Sequence, residues 1–66
     1  MPVINVEAGP LTHEQKADLA QTLTREAARV MGLPPESIYV FIKENAFENI
    51  GVGGRLLSDA AAEKTK

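Results

Sequence analysis

The sequence contains no cysteine and no tryptophan, and its one histidine is His13. Without cysteine the chain cannot form a disulfide or a thiolate metal site, and one histidine does not make a metal site by itself. The 7 basic and 9 acidic side chains give a net charge of -2, so there is no excess of positive charge to indicate a nucleic-acid partner. These absences predict a protein that uses no metal and binds no nucleic acid.

Long apolar segments are missing as well. No run approaches the roughly 20 residues that span a bilayer, and the opening Met-Pro-Val-Ile-Asn lacks the basic residues that begin a signal peptide. We therefore expect no contact with a membrane and a cytoplasmic location. The 66 residues are expected to form one domain. A domain of this size buries only about 60% of its unfolded surface, so we expect oligomerisation to supply further burial.

Two segments have the apolar patterns of β-strands. Residues 2–7 place Ile4 and Val6 on one face of a first strand. The second strand, residues 38–43, carries Ile38, Val40 and Ile42 on one face and Tyr39, Phe41 and Lys43 on the other. Because a parallel sheet is rarely left open on one side, the face with Tyr39 and Phe41 is the expected oligomer interface.

A helix is predicted between the two strands. Thr12 and Gln15 have the spacing of a capping box. Gly32, followed by the pair Pro34-Pro35, is typical of a helix that ends in a left-handed cap. The apolar stripe expected to pack on the sheet consists of Ala20, Leu23, Ala27 and Val30, flanked by Leu19 and Met31. A strand, a helix and a strand in this order predict a crossover between two parallel strands.

The glycine-rich segment 50–57 predicts a bend or a tight hairpin. Its apolar contacts are expected from Ile50, Val52, Leu56 and Leu57. A phosphate-binding loop is the alternative, although the Walker and dinucleotide spacings are both absent. Residues 58–66 are expected to form a frayed or helical tail. The predicted fold class is α/β (α+β): a single βαβ unit with two parallel strands, one long helix and a C-terminal β-hairpin, in one oligomeric domain.

Pro2 is the first candidate for a catalytic role. If Met1 is removed, the chain starts with a secondary amine held rigid by its own ring. A free α-amino group has a pKa of about 7.7 to 8.0, and burial among apolar side chains lowers that pKa because the charged form loses hydration. Such an amine is suited to act as a general base near neutral pH. The alternative interpretation is that Pro2 merely protects an exposed terminus.

The order of these features resembles the 4-oxalocrotonate tautomerase family. The features are Pro2, the helix start Thr-His-Glu-Gln-Lys, the strand Ile-Tyr-Val-Phe-Ile-Lys-Glu and the later Gly-Val-Gly-Gly. The match covers Pro2 to about Leu57. The resemblance implies a keto–enol tautomerase that acts on a small-molecule substrate without a cofactor, with the amino-terminal proline as base. It also implies a homohexamer, built as a trimer of dimers, with active sites formed by neighbouring subunits.

The chain departs from this family where substrate is held. Two arginines that the resemblance implies are replaced by Leu11 and Tyr39, and a phenylalanine beside the proline is replaced by Ile50. The expected substrate-binding residues are Tyr39, Ile50, Val52, Leu11, Lys43 and Arg55. Among them Tyr39, Lys43 and Arg55 are candidates to replace the missing arginines. The alternative role of Tyr39 is packing in the interface, and that of Lys43 and Arg55 is an ordinary position on the protein surface. We therefore predict a neutral or monoanionic enol or 2-oxo acid as substrate. The alternative is an oligomeric binding protein with weak activity or none.

Overall fold

The computed structural model describes residues 1–59. Its central unit consists of strand β1 (Val3–Ala8), helix α1 (His13–Met31) and strand β2 (Tyr39–Glu44). The two strands pair in parallel, with Val3 opposite Tyr39 at one end and Ala8 opposite Glu44 at the other. The predicted βαβ unit is confirmed. Both strands begin and end one residue later than predicted.

Local sequence signals define both ends of α1. The Thr12 Oγ1 atom accepts a hydrogen bond from the Gln15 N–H at 3.1 Å, and the Thr12 N–H donates to Gln15 Oε1 at 2.9 Å. At the other end Gly32 has a φ of 67°, and its N–H donates to the Ala28 carbonyl at 2.9 Å. The predicted capping box and left-handed cap are both confirmed.

The apolar stripe of α1 is shorter than predicted. Leu19, Ala20, Leu23 and Ala27 are half-buried. Val30 is 71% exposed, so the prediction that it packs on the sheet is wrong, and Met31, which flanks the stripe, is 52% exposed. A helix of 19 residues rises about 28 Å, whereas a six-residue strand spans about 20 Å. The last turn of α1 therefore has no strand beneath it.

The sheet is covered on one face only. Among residues 1–59 the one buried residue is Ile38, which is 8% exposed, and no side chain in this part of the chain is fully buried. On the outer face Tyr39 is 46% exposed and Phe41 is 55% exposed, with Val3 beside Tyr39 on β1. The predicted division of the second strand into an inner and an outer face is confirmed. A single chain thus leaves an apolar sheet face open to solvent.

The glycine-rich segment forms a hairpin of strands β3 (Gly51–Val52) and β4 (Arg55–Leu56). Gly53 and Gly54 at its tip have φ values of 61° and 85°. Positive φ at both central residues is the requirement of a type I′ turn, which glycine meets without strain. The hairpin prediction is confirmed, and the phosphate-loop alternative is wrong because these glycines join two strands.

The rest of the chain is connected to these elements by short turns. Turns of 3-10 helix lie at Pro35–Ser37 and Phe47–Asn49. The hairpin packs mainly on the second of these turns. Residues 57–59 are helical, and most of the predicted tail lies outside the described residues. Within residues 1–59 no helix has the length and apolar character needed to cross a membrane.

Candidate active site

Pro2 and Tyr39 lie together at the edge of the sheet where both strands begin. The Pro2 carbonyl accepts a hydrogen bond from the Tyr39 N–H at 3.0 Å, and Pro2 is half-buried. Met1 extends beyond them and is 81% exposed. While Met1 is attached, the nitrogen of Pro2 is a peptide nitrogen and has no basic lone pair. We call Pro2 and Tyr39 the amino-edge group.

The other candidate residues lie toward the opposite edge. Lys43 pairs with Glu7, whereas Tyr39 pairs with Val3. The two pairs lie four residues apart along the strands, a distance of about 13 Å at 3.3 Å per residue. We call these candidates the carboxyl-edge group. Its members are Leu11 before α1, Lys43 on β2, Ile50 before the hairpin, and Val52 and Arg55 within it. One protomer therefore keeps its two groups of candidate residues apart.

A cleft of about 370 Å³ opens at the carboxyl edge. It is lined by Glu7, Ala8, Gly9, Asn45, Asn49, Ile50 and Gly51. Of the predicted site residues, Ile50 contributes to this lining. The other six residues that line the cleft were not among the residues predicted from the sequence. The topology of the sheet could have indicated these residues, because the carboxyl ends of neighbouring parallel strands meet at one edge and ligands often bind there.

Two residues after β2 fix the walls of this cleft. The backbone N–H of Asn45 donates to the Ala8 carbonyl at 2.7 Å, and its Nδ2 lies 3.4 Å from both Glu7 Oε1 and the Ala8 carbonyl. The ring of Phe47 lies over Gly9 so closely that a Cβ on Gly9 would be 2.9 Å from Phe47 Cε1. The turn that leads to Ile50 is thereby held against the end of β1.

Glu44, the last residue of β2, holds the segment that leads into α1. Its Oε1 accepts a hydrogen bond from the Leu11 N–H at 2.8 Å, and its Oε2 lies 3.1 Å from Lys16 Nζ. These two contacts, the Leu11 N–H first and the Lys16 ammonium second, lower the pKa of the Glu44 carboxyl from its ordinary value. Glu44 was not among the predicted site residues, because its partners lie 33 and 28 residues away along the chain and a local sequence pattern does not indicate such contacts.

The family model described as tautomerase enzyme matches residues 2–60. The chain therefore belongs to the tautomerase family, and the resemblance found in the sequence is confirmed. No match is found among proteins with curated descriptions.

Several solved structures have the same fold over nearly the whole chain. The crystal structure of TomN, a 4-oxalocrotonate tautomerase homologue in the tomaymycin biosynthetic pathway, is 31% identical with a TM-score of 0.87, covering 92% of this chain and 95% of TomN. DmpI from Archaeoglobus fulgidus is 36% identical with a TM-score of 0.81, covering 88% and 100% of the two chains. A chain of the heterohexamer 4-oxalocrotonate tautomerase from Chloroflexus aurantiacus is 27% identical with a TM-score of 0.83, covering 89% and 97%.

Proposed function

We propose that this protein is a cofactor-independent keto–enol tautomerase in which Pro2, after removal of Met1, is the general base. Membership of the tautomerase family supports the reaction class. The position of Pro2 is the observation that supports its role as the base. Pro2 is half-buried at the amino edge, and its carbonyl accepts a hydrogen bond from the Tyr39 N–H. Met1 is exposed and therefore accessible to a processing enzyme. Removal of Met1 leaves the ring nitrogen as a secondary amine.

The chemistry requires one proton to move between oxygen and carbon. The Pro2 amine takes the proton of an enol hydroxyl, the carbonyl forms, and the protonated amine returns the proton to the neighbouring carbon. Charge that develops on the oxygen needs a donor fixed in advance. The Tyr39 hydroxyl is our candidate, because Tyr39 adjoins Pro2. In this role Tyr39 supplies a neutral hydrogen bond where the family resemblance implies a cation.

We propose further that the active site is completed between subunits of a homohexamer. Within one chain the carboxyl-edge group lies far from Pro2, so Ile50 and Val52 can shield the Pro2 amine only if they belong to a neighbouring copy. The exposed outer face, with Tyr39 and Phe41, gives these copies an apolar surface on which to associate. In a closed symmetric assembly the amino-edge group of one copy then meets the carboxyl-edge group of a neighbouring copy at every site.

A second candidate is a binding protein of the same fold with weak turnover or none. Leu11 and Tyr39 favour it, since neither side chain supplies the cation that the family resemblance implies. The two candidates differ in what they require of Pro2. An enzyme needs a free amine at that position, whereas a binding protein does not. A cytoplasmic location is part of the proposal under either function.

Two substitutions of Pro2 test the proposal. Pro2→Ala keeps a small second residue, so Met1 is still removed, but it replaces the secondary amine with a flexible primary amine. Pro2→Leu has a large second residue and is expected to retain Met1, which intact mass will verify. We expect ketonisation of a monoanionic enol, followed by ultraviolet absorbance, to slow in Pro2→Ala and to fall to the uncatalysed rate in Pro2→Leu. Equal rates in all three folded proteins would contradict a role for the Pro2 amine.

A further inference from the structure

The cleft at the carboxyl edge presents hydrogen-bond acceptors. The Nδ2 atom of Asn45 lies 3.4 Å from Glu7 Oε1 and 3.4 Å from the Ala8 carbonyl oxygen, and both of these partners are acceptors. The two hydrogens of this amide are therefore used inside the chain, and its Oδ1 atom remains as an acceptor. Among residues 1–59 neither Asn45 Oδ1 nor Glu7 Oε2 has a hydrogen-bond partner. A ligand that enters the cleft meets these acceptors and has to supply donors.

The charge of the cleft is negative. Of the seven residues that line it, Glu7 is the charged one, and no basic side chain is among them. Lys43 lies opposite Glu7 in the register of the two strands. Within the part of the chain that the structure describes, the Lys43 ammonium nevertheless forms no ion pair with Glu7. The carboxylate of Glu7 is therefore not neutralised by a salt bridge of its own chain.

We propose that this cleft binds the ammonium group of a ligand, with Glu7 as the residue that selects it. An ammonium group has three donors and no acceptor, so it can donate to Glu7 Oε2 and to the amide oxygens of Asn45 and Asn49. It also neutralises the one charge of the lining. A carboxylate would meet Glu7 as a like charge. The volume of about 370 Å³ is of the size that holds a small organic ligand.

The inference rests on the proposed function for the identity of the ligand. In the proposed hexamer the carboxyl edge of one copy adjoins Pro2 of a neighbouring copy, so the ammonium group belongs to the substrate, on a part other than the enol. Glu7 then determines specificity without taking part in the proton transfer. A substrate with one carboxylate and one ammonium group is neutral overall, which agrees with Leu11 and Tyr39 in place of two arginines.

The test is an NMR titration of ¹⁵N-labelled protein with three ligands that share one aromatic ring: benzylammonium, benzyl alcohol and benzoate. At low salt and pH 7 we expect benzylammonium to shift the amide signals of Asn45, Asn49 and Gly51. Its affinity should exceed that of benzyl alcohol by about twofold to fivefold, the size of an exposed ion pair. This preference should decrease in 1 M salt, where the Debye length is about 3 Å. An affinity for benzoate equal to or above that for benzylammonium would overturn the inference.

Three variants locate the charge that is responsible. Glu7→Gln keeps the length of the side chain and an acceptor for Asn45 but removes the charge, so benzylammonium and benzyl alcohol should bind equally. Glu26→Gln removes a charge of the same sign from α1, outside the cleft, and should leave the preference unchanged. Lys43→Met removes the positive charge opposite Glu7 and should strengthen the preference. If Glu7→Gln fails to fold, an unchanged or reduced preference in Lys43→Met overturns the inference.

Binding and turnover separate this inference from the proposed function. A preference for benzylammonium that persists in folded Glu7→Gln overturns the role of Glu7, whatever the enzyme does. If the preference is lost as expected but ketonisation does not depend on the Pro2 amine, the ammonium site stands and the proposed tautomerase mechanism fails. If both tests succeed, an enol that carries an ammonium group should have a lower KM than the same enol with a hydroxyl group, and Glu7→Gln should raise that KM with little change in kcat.

Discussion

The Phe47 ring lies directly over Gly9, so that a methyl group at Gly9 would stand 2.9 Å from Phe47 Cε1. Gly9 lines one wall of the carboxyl-edge cleft, and Phe47 begins the turn that forms the other. The contact joins two segments that are distant in the sequence. It requires glycine because any Cβ would enter the space of the ring.

Gly9→Ala should therefore displace the Phe47 ring and shift the turn that carries Ile50. Overpacking of this kind costs about 1 to 3 kcal/mol of unfolding free energy. Urea unfolding at a fixed protein concentration measures the change. Gly51→Ala is the matched control, since a Cβ there meets its nearest atom, the Arg55 carbonyl oxygen, at an ordinary 3.7 Å. Equal stability of the two variants would contradict the role of this contact.

The sequence predicted those features that depend on neighbours in the chain. The capping box of Thr12 and Gln15 and the left-handed cap at Gly32 involve residues within one helical turn, so their spacing defines them. Two successive positive φ values at Gly53 and Gly54 likewise follow from a local glycine pair. The division of β2 into two faces followed from the alternation of side chains along a strand.

Features that depend on distant residues were not predicted. Val30 has the helical spacing of a buried stripe, but the spacing contains no information about where the sheet ends. The contacts of Asn45 with Ala8 and of Glu44 with Leu11 join segments more than 30 residues apart. The separation of Pro2 from Ile50 and Val52 is a property of the folded chain, because it depends on the edge at which each segment lies.

The outer face of the sheet provides a test of assembly. Phe41→Asp should dissociate the oligomer or prevent folding, because an unpaired carboxylate buried in an apolar interface costs several kcal/mol. Light scattering at micromolar concentration measures the mass. Val30→Asp is the control, since Val30 is also an exposed apolar residue but lies at the end of α1. A monomeric unmodified protein, or an assembly of Phe41→Asp with unchanged mass, would contradict the proposed interface.

The contacts of Glu44 predict an acid-sensitive contribution to stability. Because the folded state lowers the pKa of this carboxyl below its ordinary value of 4.5, the ionised group stabilises the fold above that value. The contribution should be lost as the pH falls through the lowered pKa. Urea midpoints measured from pH 7 to pH 3 should depend less on pH in Glu44→Gln than in the unmodified protein. Lys16→Met should reduce the dependence less, since the Leu11 N–H is the larger cause. Identical profiles for all three proteins would contradict this account.

The amine of Pro2 provides a test of the site between subunits. After removal of Met1 we expect its pKa to lie below the 7.7 to 8.0 of a free α-amino group, because apolar side chains of a neighbouring copy disfavour the charged form. An NMR titration of the Pro2 nitrogen measures this pKa. In a folded but dissociated Phe41→Asp variant the value should return toward the ordinary range. A lowered pKa that persists in the dissociated chain would show that one protomer is sufficient to shield Pro2.

The last prediction concerns the substrate. Leu11 and Tyr39 stand where charge-assisted, bidentate hydrogen bonds to a carboxylate are implied, and such bonds are stronger than neutral ones. Removing one fixed donor to a developing oxyanion typically lowers turnover by about 100-fold to 1000-fold, so activity on a dienol dicarboxylate should be close to background. We expect a higher kcat/KM for a monoanionic aromatic enol, with both substrates measured at matched ionic strength. If the dicarboxylate proves to be the better substrate, another cation such as Lys43 or Arg55 must bind it, and substitution of each by methionine will show which one does.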